Sequence, residues 1–289
     1  MPRVAVAGTE LYYERRGAGE PLLLIQGLGA NSLHWGEPFL TELERDLELV
    51  LMDNRGAGRS AALGRDDDLT TAGLAADALA LLDALELDSV HVLGISMGGM
   101  VAQELALAQP GRVRSLTLGC TSCGGTQSSS TDQAVIRALT AAVLSGDQAR
   151  MLRTGFGFVV SAGFAADPAN YEEFVRAAGR HPPDIPLLMA QQGAVVAHDS
   201  YASVRELKVP TLVIHGTADQ MLAAVNGDLV ASLIPGARLE LLDGAGHLFF
   251  WEQPQRSAQL VREHVAAHAP ERKTPPGVSR TARLRDWRV

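Results

Sequence analysis

Three side chains, far apart along the chain, could together make a strong nucleophile: Ser96, Asp219 and His247. A neutral serine hydroxyl attacks poorly unless an imidazole removes its proton. The imidazole in turn needs a carboxylate to hold its tautomer and steady the cation that forms. Ser96 sits in Gly94-Ile95-Ser96-Met97-Gly98, Asp219 closes Gly216-Thr217-Ala218-Asp219, and His247 closes Asp243-Gly244-Ala245-Gly246-His247. The G-x-S-x-G spacing has a mechanical meaning. A serine at the tip of a sharp strand-to-helix turn is strained, and its neighbours two residues away must have almost no side chain. Rivals exist for each role. His215 falls inside an apolar run and reads as a core histidine; His34, His181 and His198 read as loop or insertion residues. Asp243 also ends a strand, but it stands four residues from His247 and would need an unusual loop to face that ring. Asp53 and Arg55 read as braces for a neighbouring turn.

The elements that must carry these groups can be read from hydrophobic pattern. Residues 3–7 and 10–15 predict a hairpin-like start, and 21–25 is a continuous apolar run of the kind found in strands buried on both faces. That run ends in Gln26-Gly27-Leu28-Gly29-Ala30-Asn31, where backbone N–H groups can point into a crevice. A helix is expected over 35–47, strands over 47–52, 90–95 and 113–119, and helices around Leu74 to Leu85 and after Ser96. Strands alternating with helices imply a parallel sheet covered on both faces. From 131 to 205 the pattern is helical, and the strand rhythm resumes at 210–216 and 237–242 before a helix that runs to about His268. Functional residues then gather at strand ends, where open parallel sheets bind ligands.

Composition narrows the function. With 289 residues, 46% hydrophobic and 20% charged, the chain can bury a large core. The net charge of -8 would repel nucleic acid and anionic lipid, and the six Lys/Arg of the Pro-rich end (Arg272, Lys273, Arg280, Arg283, Arg285, Arg288) make the remainder more acidic still. No apolar run is long enough for a membrane span or signal peptide, so a cytoplasmic protein with no membrane partner is expected. The Cys120-x-x-Cys123 pair lacks further soft ligands and is followed by Gly124 and Gly125 rather than a helix, so it reads as two small thiols, not a metal or redox site. Gly56, Gly58 and Ala61 imitate a dinucleotide fingerprint, but the acidic Asp66-Asp67-Asp68 follows where a helix N-terminus would be needed.

In combination, Gly94 to Gln103, Asp53-Asn54-Arg55-Gly56-Ala57-Gly58-Arg59-Ser60 and Gly244-Ala245-Gly246-His247 resemble the α/β-hydrolase superfamily over residues 1–268, and the group of 3-oxoadipate enol-lactonases, small carboxylesterases and methylesterases within it. The resemblance implies an α/β-hydrolase fold, with a mostly parallel central sheet of about eight strands, helices on both faces and a helical cap. The expected division is a core of 1–121 and 206–268, a cap of 122–205 and a flexible basic tail of 269–289. It implies Ser96 as nucleophile, His247 as base and Asp219 as its partner, with the backbone N–H groups of Leu28 and Met97 receiving the oxyanion. The chain departs from the pattern at Gln26-Gly27, where relatives commonly have His-Gly, and at Gln220-Met221-Leu222 after the acid. Trp35, Phe156, Phe158 and Met189 are the candidate substrate contacts, suiting a small apolar ester or lactone. No metal or organic cofactor is implied, and a homo-oligomer is compatible with the chain. Hydrolysis of a C–C bond in ring-cleavage products, cofactor-free perhydrolase or haloperoxidase chemistry, and a silent small-molecule binder on the same fold are the alternatives.

Overall fold

The computed structural model describes residues 2–6, 8–64 and 69–270. The acidic run 66–68 and the basic tail from 271 onward lie outside the described residues.

Eight strands form one sheet in the order β1-β2-β4-β3-β5-β6-β7-β8. They are β1 (Arg3–Val6), β2 (Thr9–Gly17), β3 (Glu20–Ile25), β4 (Leu47–Met52), β5 (Val90–Ile95), β6 (Val113–Gly119), β7 (Thr211–Gly216) and β8 (Arg238–Leu242). β1 and β2 pair antiparallel, β2 joins β4 antiparallel, and every pairing from β4 to β8 is parallel. The helices are α1 (Glu37–Leu43), α2 (Thr71–Ala84), α3 (Met97–Ala108), α4 (Gln133–Leu144), α5 (Gln148–Val159), α6 (Ala162–Ala165), α7 (Pro168–Ala178), α8 (Ile185–Ala197), α9 (Val225–Leu233), α10 (Phe249–Glu252) and α11 (Pro254–Ala267).

The continuous apolar runs of the central strands serve two cores at once, because successive side chains point to opposite faces. Leu23, Ile25, Val50, Val92, Leu116 and Val213 pack against α2, α3 and α9. Their neighbours Leu22, Leu24, Leu51, Leu93, Leu212 and Ile214 pack against α1, α10 and α11. Helices therefore cover both faces. Between β6 and β7 the described chain forms α4 to α8 and no named strand. Aspartates punctuate that stretch: Asp132, Asp147, Asp167 and Asp184 each accept a backbone N–H in the first turn of the helix that follows. Its two ends are drawn together by Ser200 N–H donating to Cys123 O at 2.8 Å and by the Gly124–Asp199 bridge.

The expected helix over 35–47 is divided. Ser32–Trp35 is a single 3₁₀ turn, Gly36 then takes φ 73°, and α1 begins beyond it with Pro38 in its first turn. A left-handed glycine followed by a proline stops one helix and starts another. No helix among the described residues is long and apolar enough to cross a membrane.

Candidate active site

The order of the sheet sets the geometry of the site. The order in which strands are added reverses at β3, with β4 on one side and β5 on the other, and at such a switch point the loops leaving the ends of parallel β3 and β5 part to leave a crevice. The loop 26–31 leaves β3 and Ser96 leaves β5, so they meet there. A Cβ on Gly27 would lie 3.0 Å from Ser96 Cβ and 3.6 Å from its Oγ.

Ser96 holds φ 56° and ψ -121°, a conformation that a side-chain-bearing residue rarely adopts. Its surroundings enforce it. Ser96 N–H donates to Gly119 O at 2.9 Å, and its own carbonyl accepts the Thr121 hydroxyl at 2.7 Å. The flanking glycines are required by packing: a Cβ on Gly94 would strike Gly98 O, and one on Gly98 would strike Ile25 O. The half-buried Ser96 hydroxyl forms no hydrogen bond among the described residues, to His247 or to any other group. Catalytic hydrogen bonds are often long before substrate arrives.

On the other side of β5, the loops after β7 and β8 bring Asp219 and His247 together. His247 Nδ1 lies 2.7 Å from Asp219 Oδ2. Since a carboxylate oxygen only accepts, Nδ1 carries the proton and Nε2 is the basic nitrogen. Asp219 is almost buried, at 9% exposure. Burial works against its charge, but His247 and His215 outweigh it and hold the carboxyl well below the usual carboxylate range. Its second oxygen accepts the N–H groups of Met221 at 2.8 Å and Leu222 at 3.0 Å. The Gln220-Met221-Leu222 sequence thus braces the acid through backbone, whatever its side chains.

His215, read from its apolar run as a core histidine, is fully buried but not remote from the acid. Its Nε2 is 3.1 Å from Asp219 Oδ2 and 2.8 Å from Leu222 O. Both partners are acceptors, so Nε2 carries the proton and the unpartnered Nδ1 is bare. The four-residue spacing of His215 and Asp219 across a strand end was the available signal.

The backbone N–H of Met97, first residue of α3, and that of Leu28 have no acceptor among the described residues. Both belong to the segments that meet at the crevice, and the start of a helix favours negative charge. Gln26, the first residue of that loop, is buried at 2% and its Oε1 accepts Gly27 N–H at 3.3 Å.

The proposed braces divide. Asp53 accepts Ser32 N–H at 2.7 Å and Arg59 N–H at 2.8 Å, and so ties the loop after β3 to the loop after β4. Arg55 instead reaches Asp77 on α2 at 2.6 Å. Asp243 is exposed and takes the Thr217 hydroxyl at 3.3 Å, not the His247 ring.

Among the expected substrate contacts, Trp35 is fully buried against Phe39 and Phe250, where no ligand reaches it. The apolar register that suggested a pocket wall belongs to the core beneath it. Phe156 is likewise buried, packed on Tyr171 and Phe174, Phe158 is half-buried, and Met189 is 70% exposed on α8. A concavity on the surface between α5 and α7, lined by Leu152, Tyr171 and Val175, includes none of the residues at the crevice.

Both cysteines are free and buried. Cys120, His215 and Asp219 each offer a donor atom within 4.8 Å of the others. Burial and the nearby Asp219 charge push the Cys120 thiol up, and Asp219 Oδ2 is already committed to two imidazoles. As it stands, the cluster is a hydrogen-bonded one.

The family model of the alpha/beta hydrolase fold matches residues 20–254. RutD of Azorhizobium caulinodans is 31% identical, over 86% of this chain and 92% of its own. The pimeloyl-[acyl-carrier protein] methyl ester esterase of Methylococcus capsulatus is 30% identical, over 89% of this chain and 99% of its own. Among solved structures, the enol-lactonase of Burkholderia xenovorans is 25% identical, covers 92% of this chain and all of its own, and superposes with a TM-score of 0.80. The chain belongs to the alpha/beta hydrolase family.

Proposed function

We propose that the protein hydrolyses a small or medium carboxylic ester or lactone through an acyl-serine intermediate, with Ser96, Asp219 and His247 as its triad. One observation carries the reading: His247 commits Nδ1 to Asp219 at 2.7 Å, which leaves Nε2 as a base on the rim where the strained elbow displays Ser96. The two relatives named for ester and lactone hydrolysis support it.

The chemistry follows from the roles. Ser96 Oγ attacks the carbonyl carbon while its proton passes to His247 Nε2. The oxyanion is received by the N–H groups of Leu28 and Met97, each such donor contributing roughly 3–4 kcal/mol in enzymes where it has been removed. As the tetrahedral intermediate collapses, Nε2 returns the proton to the departing alkoxide. Water then adds to the acyl carbon and gives its proton to the same nitrogen, and as the second tetrahedral intermediate collapses Nε2 returns that proton to Ser96 Oγ and the acid is released. In this reading residues 1–121 and 206–268 form the core and 122–205 a cap over the strand ends.

The test is release of p-nitrophenol from short acyl esters, with labelling of Ser96 by a fluorophosphonate. Turnover and labelling that both vanish in Ser96→Ala are expected; turnover that survives this substitution would overturn the assignment.

A further inference from the structure

Between the loop after β3 and α8 lies a side chain that the triad does not use. Gln191 is fully buried, and its Oε1 accepts the Gly29 N–H at 2.7 Å across 162 residues of chain. That bond fixes the orientation of the amide, because only the carbonyl end can accept an N–H. The Nε2 group is thereby turned away from Gly29, and it has no partner among the described residues. Buried amide donors are almost always paired, and one left without a partner beside a ligand crevice marks a place for an acceptor.

The position of this donor says which part of a ligand it would meet. Gly29 follows Leu28, so Gln191 grips the segment that would hold the carbonyl oxygen. In the sheet, β3 lies on one side of β5, and β7 and β8 lie on the other. The leaving alcohol must lie toward His247, which protonates it, and the acyl chain is left the β3 side. Leu188, one turn earlier on α8, comes within 3.0 Å of where a Gly29 Cβ would be, so α8 and the loop are in direct contact.

We propose that Gln191 is a specificity-determining residue, whose Oε1 holds the oxyanion loop and whose Nε2 donates to an oxygen carried by the acyl chain beyond the reacting carbonyl. The proposal rests on the serine-hydrolase reading. The preferred substrates are then esters or lactones of oxygen-bearing acids, with an ether, hydroxyl or keto oxygen in the chain, rather than plain alkanoates.

Paired esters of equal length separate the two functions of the residue. The full chain is assayed for kcat/KM on p-nitrophenyl methoxyacetate against butyrate, and on 4-methoxybutyrate against hexanoate. Gln191→Met removes both contacts. Gln191→Glu keeps the acceptor for Gly29 and guards against misfolding of the first variant. In at least one pair, the ratio of oxygen-bearing to plain ester is expected to fall about tenfold in both variants, the scale of one lost hydrogen bond to substrate. A loss that is equal for both members of each pair would leave Gln191 a loop brace alone and overturn the proposal. A wild type that turns over none of the four esters and resists the fluorophosphonate would overturn the hydrolase reading, and this proposal with it.

Discussion

His215 and His247 share one oxygen of Asp219, at 3.1 Å and 2.7 Å. The acid is thus held by two imidazoles on Oδ2 and two backbone N–H groups on Oδ1, and it has little freedom to swing. His215→Phe keeps a ring in the cavity but frees Oδ2 on that side and leaves Leu222 O without its donor. Loosened aim at a reacting centre can cost up to roughly 10²-fold in rate. We expect kcat to fall by about tenfold or more with KM little changed, since His215 touches no substrate. Steady-state kinetics on p-nitrophenyl acetate check it, and an unchanged kcat would reduce His215 to a packing residue.

Asp219→Asn tests the acid itself. An amide in place of the carboxylate can offer its N–H₂ to the ring, which places the imidazole proton on Nε2 and leaves no base toward Ser96. In serine proteases the equivalent change lowers kcat by about 10⁴-fold. The same scale is expected here. In the proposed mechanism the three groups act as a unit, so Ser96→Ala combined with Asp219→Asn should be no slower than Ser96→Ala alone. A further drop in the double variant would show that the two residues act independently.

Much of this arrangement was legible in the sequence because strand ends punctuate it. The runs 47–52 and 113–119 match β4 and β6, since strands buried on both faces leave an unbroken apolar signature. The elbow was legible because Gly94 and Gly98 are demanded by backbone contacts that no other residue permits. What pattern could not reveal depends on contacts between distant segments. His215 looks like core in its own run, and only the fold brings the His247 loop to the Asp219 oxygen that His215 also faces. Trp35 and Met189 carry the same apolar character in sequence, yet one is sealed beneath α10 and the other lies at the surface, because helical spacing does not say which face a partner covers.

Glu252 ties the loop that carries His247 to the chain after α5. Its carboxylate accepts Gly246 N–H at 2.7 Å and Ser161 N–H at 3.0 Å, and also takes the Ser161 hydroxyl. Leu248 N–H donates nearby to Val159 O at 2.7 Å. Glu252→Ala strips two backbone donors of their acceptor, and hydrogen bonds to a charged group contribute about 1.5–3 kcal/mol each at most. A loss of about 2–3 kcal/mol of stability is expected from urea unfolding, together with a lower kcat as His247 loosens. Glu252→Gln keeps one acceptor and should recover part of both. Equal stability of the alanine variant and wild type would show that water replaces the carboxylate.

Stability should fall in mild acid through three histidines. His34, His91 and His264 are each held down to about 4, above all by burial; Arg114 and neighbouring histidines repel a charge on His91. His34 Nδ1 accepts the Asn31 N–H at 3.1 Å, a bond that protonation would destroy. In the unfolded chain a histidine titrates near 6.5. Between about pH 6.5 and 4 the unfolded state therefore binds protons that the native state refuses, and the free energy of unfolding falls as pH is lowered. Above pH 7 neither state binds them and this contribution is flat. Calorimetry from pH 8 to 4.5 should show Tm constant at first and then declining below about 6.5. His91→Gln, which can retain the bond to Ser115 Oγ now made at 2.7 Å, should make the decline shallower. A decline equally steep in that variant would show that His91 is protonated in the native state or that acid unfolding is driven by carboxylates.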